Sequence, residues 1–208
     1  MTITQNETAT TALVPMAKAH QVRDALAATI LSAHDSSMPV LSGVKLDVSG
    51  SSYVFTSTDR YRLTRVTVTL DEAGTDHTVI IPLEAAKRML TALKGLGARP
   101  GRTPAWFVFE GDKVSLHYGF DGGVVAATGV TGEFPRVESI TTGHVPADTQ
   151  KIAFDPKFMA DLCKMPGRER NLPVIMSLAG ATKPMVATWG DQGDVEYLYV
   201  LMPVRMAD

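Results

Sequence analysis

The chain has 208 residues, 45% of them apolar, and a formal net charge of −2 at pH 7. That is enough apolar material for a real core, and too little net charge to mark a wholly basic nucleic-acid binder. Its single cysteine, Cys163, excludes an internal disulfide, no Cys/His cluster has metal-ligand spacing, and no run reaches the ~18 apolar residues of a membrane span. A soluble protein of a reducing cytoplasm, with neither cofactor nor metal, is the expectation.

Met1–Thr11 is polar and reads as a flexible tail. Beyond it, one grammar occurs three times. Leu13, Val14 and Pro15 precede a helix predicted over Met16–Ala33; Val79, Ile80, Ile81 and Pro82 precede one through Leu96; Ile152 to Pro156 precede one over Lys157–Met165. Proline is tolerated as the first residue of a helix, and the three prolines recur roughly seventy residues apart, suiting a strand, helix and strands unit used three times.

The first unit continues with strands predicted over Val40–Val48 and Tyr53–Val68, joined by Gly50, Ser51 and Ser52. The second of these strands is read straight through Thr58, Asp59, Arg60, Tyr61, Arg62 and Leu63. A lone Asp59, with no second acid, nucleophile or metal partner, fits an ion pair or a turn better than a catalytic carboxylate. Leu70–His77 reads as a loop.

In the second unit Leu83, Ala86, Leu90, Leu93 and Gly97 form an apolar stripe, opposite Lys87, Thr91 and Lys94 with Glu84 and Arg88 beside them. Strands follow over Ala105–Phe109 and Lys113–Gly119. The Asp121, Gly122, Gly123 and Gly129 group lacks the strand, loop and helix order of a phosphate cradle and reads as a hairpin. Gly132, Glu133, Phe134, Pro135 and Arg136 end the unit, and 141–149 connects to the third. There, strands are predicted over Pro173–Leu178, Met185–Trp189 and Tyr197–Val204. The five histidines share no helical face, which leaves metal or acid/base roles without support.

Each predicted helical segment carries an excess of positive charge: Lys18 and Arg23 against Asp24; Lys87, Arg88 and Lys94 against Glu84; Lys157, Lys164, Arg168 and Arg170 against Asp161 and Glu169. Charge alone fits two arrangements equally, a basic surface lined by the helices or three ordinary solvated helix faces.

Four motifs carry a resemblance: Pro39-Val40-Leu41-Ser42-Gly43, Ser57-Thr58-Asp59-Arg60-Tyr61-Arg62-Leu63, Gly132-Glu133-Phe134-Pro135, and Tyr199-Val200-Leu201-Met202-Pro203-Val204-Arg205. In this order and spacing they resemble the bacterial replicative sliding clamp, the beta subunit of DNA polymerase III. The resemblance implies an α+β DNA-clamp fold of three repeated half-units: a tail at 1–11, a complete clamp domain at 12–142 and a C-terminal half-domain at 143–208. It implies a non-enzymatic processivity factor whose helices face duplex DNA, held without regard to sequence, with Lys18, Arg23, Lys87, Arg88, Lys94, Lys157, Lys164, Arg168 and Arg170 near phosphates.

It further implies an apolar cleft for polymerase and clamp-loader peptides, at Leu41, Thr58, Arg60, Tyr61, Arg62, Leu63, Pro135, Pro184, Val200, Met202 and Pro203. Arg62 is expected to anchor the polar groups of the peptide. Where the family usually has a glycine and then a histidine, this chain has Arg60 and Tyr61. Family members have six half-units per chain and this chain has three. The lone third unit should leave a sheet edge uncovered, so self-association into a ring is expected, a tetramer favoured over a dimer or trimer. The alternative is a clamp-like protein that competes for clamp partners, or binds the full-length clamp, without encircling DNA.

Overall fold

The computed structural model describes residues 12–13, 15–33, 38–96, 102–137, 152–166, 173–191 and 195–204. Two antiparallel sheets form its outer layer. The first is built from β1 (Ala12–Leu13), β2 (Ala17–Lys18), β7 (Pro104–Glu110), β8 (Lys113–Tyr118) and β9 (Gly123–Thr128), in the order β1, β7, β8, β9 with β2 also on β7. The second has seven strands in the order β10 (Ile175–Ser177), β11 (Met185–Asp191), β12 (Val195–Leu201), β5 (Arg62–Thr69), β4 (Ser52–Thr58), β3 (Gly43–Ser49) and β6 (His77–Pro82). Helices α1 (Ala19–Ile30) and α2 (Leu83–Lys94) pack side by side beneath them, and α3 (Pro156–Leu162) belongs to the third unit. No helix among the described residues is long and apolar enough to cross a membrane.

The two complete half-units exchange their leading strands. β2, which leads into α1, pairs with β7 of the second half-unit, and β6, which leads into α2, pairs with β3 of the first. Each half-unit therefore needs the other to complete its sheet. The exchange requires close backbone approach at Gly43, where any side chain would meet the Ile81 carbonyl at 2.6 Å. This gives the glycine of the 39–43 motif its physical reason.

One core spans all three units. α1 contributes Val22 and Leu26 together with Ala19, Ala25 and Ala28, the alanines leaving room for α2, which adds Ala85, Ala86, Met89 and Leu93. Tyr53 and Phe107, from different sheets, meet edge to face with ring centroids 5.5 Å apart. Met185, Ala187, Tyr199 and Leu201 of the third unit join the same cluster. A second, smaller cluster of Leu63, Ile80, Phe134, Val137 and Val200 lies apart from it.

Several sequence expectations are revised. Helix α1 starts at Ala19 rather than Met16, because Ala17 and Lys18 extend to pair with Ala105 and Pro104. α3 is shorter than expected, ending at Leu162. The buried face of α2 takes in Ala85 and Met89 while Leu83 and Leu90 are only half-buried, since the helix is wedged between α1 and strands of both sheets. Residues 58–63 do not continue a strand but turn back on themselves, dividing the expected Tyr53–Val68 strand into β4 and β5. The closing strand of the third unit, β12, pairs with β5 over seven residues, from Val195 opposite Val68 to Leu201 opposite Arg62, while β10 ends the sheet, paired among the described residues with β11. The expected tail 1–11 lies outside the described residues.

Candidate functional site

The hairpin between β4 and β5 is set by Asp59. Its Oδ1 accepts from the backbone N–H of Tyr61 at 3.1 Å and of Arg62 at 2.9 Å, a side-chain mimic of a backbone turn, while the Thr58 hydroxyl donates to the Arg62 carbonyl at 2.7 Å. The turn closes only with Arg60 at φ +76°, in the left-handed region that favours glycine. The tip therefore projects Arg60 and Tyr61, the latter 60% exposed, away from the sheet.

Arg62 turns inward. Its Nε donates to Asp59 Oδ2 at 3.0 Å, its Nη1 to Asp161 Oδ2 of α3, and its guanidinium carbon lies 4.6 Å from the ring centroid of Phe158. Asp161 also accepts from Lys164 Nζ at 2.8 Å. Burial alone would weaken the charge on Arg62, but Asp161 and Asp59 reverse that and raise its pKa above the ordinary value. Burial likewise opposes ionisation of Asp161, yet Lys164 and Arg62 prevail and hold its carboxyl below the usual range. Tyr199 donates to the Phe158 carbonyl at 2.9 Å, and burial, only partly offset by Arg62, pushes its phenol up to about 12. The expected peptide anchor thus has its charge engaged by two carboxylates of its own chain.

Around this clasp the four motifs converge. Leu63 and Val200 face each other across the β5–β12 joint and belong to the small apolar cluster with Phe134. The Met202 N–H donates to the Tyr61 carbonyl at 3.0 Å. Gly132, at φ +144°, packs against Val40, leaving no room there for a side chain. Leu41, Thr58, Leu63 and Val200 are buried and form a floor; Arg60, Tyr61, Pro135 and Met202, the last 40% exposed, are open to solvent; Pro184 and Pro203 are half-buried.

The nine basic candidates separate differently. Lys87, Arg88 and Lys94 are exposed on one side of α2 together with Glu84 and Thr91, with Lys87 2.7 Å from Glu84. Lys157 and Lys164 are exposed on α3 and just after it, and Lys18 on β2. Arg23 is half-buried and its Nε lies 2.8 Å from Asp24, so the positive charge of α1 is locally cancelled. Arg168 and Arg170 lie outside the described residues. The residues that sequence reasoning missed are Phe158 and Asp161 of the clasp, the latter meeting Arg62 from 99 positions away with no local signal, and Phe134, which stood in a recognised motif but was not assigned to the floor.

Residues 16–99 match the family model of the DNA polymerase III beta subunit, central domain. Among solved structures, the chain superposes on a putative DNA polymerase III beta subunit of Eubacterium rectale with TM-score 0.77 at 12% identity, covering 99% of this chain and 67% of that one. This is a sliding-clamp fold. The clamp fold is seen again in the beta subunit of Thermotoga maritima, with TM-score 0.76, 16% identity and coverage of 100% and 68%, and in the sliding clamp of Bacillus subtilis, with 0.72, 17%, 100% and 67%. The chain thus spans about two thirds of the length of these clamps. No curated protein matches it by sequence. The expected α+β clamp fold of about one and a half domains stands on these likenesses.

Proposed function

We propose that the chain is a DNA sliding clamp, a processivity factor without catalytic activity that encircles duplex DNA and tethers a polymerase by a short peptide. The observation that carries the reading is the convergence of residues 39–43, 58–63, 132–135 and 199–203 at one strand joint. Exposed Tyr61, Met202 and Pro135 there rim a buried apolar floor. Such a surface suits an extended peptide that inserts apolar side chains and is oriented by backbone groups at the edges. Because Arg62 is already engaged, Arg60 at the tip takes the role of the exposed cation beside the cleft.

The cationic side of α2 supports the DNA part of the reading. Lys87, Arg88 and Lys94 stand on one exposed face, and a lysine–glutamate pair in solvent neutralises little of that field. On this reading Lys157, Lys164 and Lys18 add phosphate contacts, Arg168 and Arg170 remain candidates, and Arg23 contributes least. The domain boundaries 12–142 and 143–208 belong to the same proposal, as do a cytoplasmic setting and a ring of several copies.

The test uses nicked circular DNA loaded with the protein and then linearised. A clamp remains on the circle and leaves after cutting; a decoy that only binds clamp partners is held equally by both forms. Replacing Lys87, Arg88 and Lys94 with glutamate should flatten the salt dependence of loading by about 0.9 logarithmic units for each phosphate no longer neutralised. For the cleft, Tyr61→Ala with Met202→Ala should weaken a polymerase peptide by about 2 kcal/mol while melting stays unchanged, since both side chains are exposed.

A further inference from the structure

Three segments of the chain meet at the start of α1. β5 ends there at Thr69, β2 gives way to the helix at Lys18, and β7 begins at Pro104, which pairs with Lys18 while the Ala19 N–H donates to the Thr103 carbonyl at 2.8 Å. They do not fill the space between them. They leave a cavity of about 180 Å³, with Lys18, Gln21, Thr69, Asp71, Arg102 and Thr103 as its polar lining. That is less than the ~300 Å³ from which drug-sized ligand sites begin, so the space suits a small group and not a whole nucleotide.

Gln21 gives the cavity its chemistry. Its side chain is buried, the residue being only 4% exposed, and its Oε1 accepts from the Lys18 N–H at 3.1 Å. A backbone N–H can be met only by the oxygen of an amide, so the orientation is fixed and Nε2 is the end left over. Among the described residues Nε2 has no acceptor. A buried donor without a protein partner is costly unless something enters to accept from it.

The charges around it lean one way. Arg102 is exposed and makes no ion pair among the described residues, and Lys18 adds a second cation, although it and Thr103 have other contacts as well. α1 has no acidic residue in its first turn, so nothing in that turn offsets the partial positive charge of the helix start. Asp71 is the one acid of the lining.

We infer that this cavity binds a single phosphate group, with the Gln21 amide and the Arg102 guanidinium as donors at the positive end of α1. Donors that converge from three segments surround a tetrahedral oxyanion better than a planar carboxylate, and the guanidinium fork matches phosphate oxygens. The phosphate comes either free from solution or as a link of a DNA strand. Binding of free phosphate needs nothing from the clamp reading; binding of a DNA phosphate rests on it.

The experiment titrates the full chain with inorganic phosphate, against chloride and acetate at equal ionic strength, following the backbone amide resonances of residues 19–22. Phosphate should saturate; chloride and acetate should not. Gln21→Glu is the deciding variant. Its carboxylate still accepts from the Lys18 N–H and suits the first turn of a helix, so melting should be no lower than in the wild type. The donor, however, is replaced by a negative charge, and phosphate affinity should fall about tenfold or more. Arg102→Ala should weaken binding and Asp71→Asn should tighten it. No saturation by the wild type, an equal response to acetate, or a folded Gln21→Glu that binds phosphate as the wild type does would each overturn the site. Retention on nicked circular DNA at rising salt identifies the source: Gln21→Glu lowers the salt slope by about 0.9 if the pocket takes a DNA phosphate, and leaves it unchanged if the phosphate is free. Phosphate binding lost in Gln21→Glu, with no retention of the wild type on the circle, upholds the pocket and overturns the clamp reading. Retention without phosphate saturation overturns the pocket and leaves the clamp reading.

Discussion

Helices α1 and α2 are held in a different way from α3. The first two bury apolar faces against each other and against both sheets, with five alanines, Val22, Leu26, Met89 and Leu93 buried there. α3 has seven residues, no second helix beside it among the described residues, and buries Leu162 and Asp161. It reaches the common core through Leu162, with Phe158 and Met159 packed against it, and is further fastened by polar links: Arg62 to Asp161, Tyr199 to the Phe158 carbonyl, and, just after the helix, the Trp189 Nε1–H to the Pro166 carbonyl at 2.9 Å. A short helix with one fully buried apolar side chain relies more on directional bonds, which specify orientation more than they add stability.

The sharpest way to break this contrast is to damage each side in turn. Phe55→Ala removes a fully buried ring from the common core and should cost about 3–5 kcal/mol, lowering the melting temperature of the whole chain. Arg62→Ala leaves Asp59 and Asp161 facing each other without their cation and should cost about 3 kcal/mol. Its signature is local: amide exchange should accelerate first in α3 and β10–β12, with α1 and α2 protected as before. Equal loss of protection everywhere would remove the distinction.

Titration should sharpen the same contrast with smaller effects. Because the Asp161 carboxyl is held below its ordinary value of 3.8, its contribution is present above that pH and is lost as the pH falls through the lowered value. Tyr199 is shifted the other way, so its contribution is complete below its ordinary 10.0 and is lost as the pH rises toward about 12. Loosening confined to α3 at both extremes, followed by the resonances of Phe158 and Tyr199, is the expected outcome. The smallest effect belongs to Arg60→Gly. Relief of the left-handed backbone and the added freedom of the unfolded chain oppose each other, so stability should change by less than about 1 kcal/mol, while peptide affinity falls if the exposed cation matters.

Much of this was legible in the sequence. The proline-led units, the strands β7, β8 and β11 and the basic side of α2 follow from periodicity and composition. So does the reading of Asp59 as a turn and ion-pair residue, since a short carboxylate beside two arginines has few other uses. What escaped was non-local. The Thr58–Leu63 run has the alternation of a strand, and only the Asp59 hydrogen bonds to the Tyr61 and Arg62 backbone amides reveal the turn. The engagement of Arg62 depends on Asp161, which no spacing rule connects to it. Likewise Ala17 and Lys18 read as the start of a helix until β7 is present to receive them.

The seven-stranded sheet has a mechanical consequence. Its third and first units are stitched by seven consecutive residue pairs, with the Arg62 clasp at one end of the seam, and they share a core behind it. Such a seam has no pivot, so the first and third units move together as one stiff body.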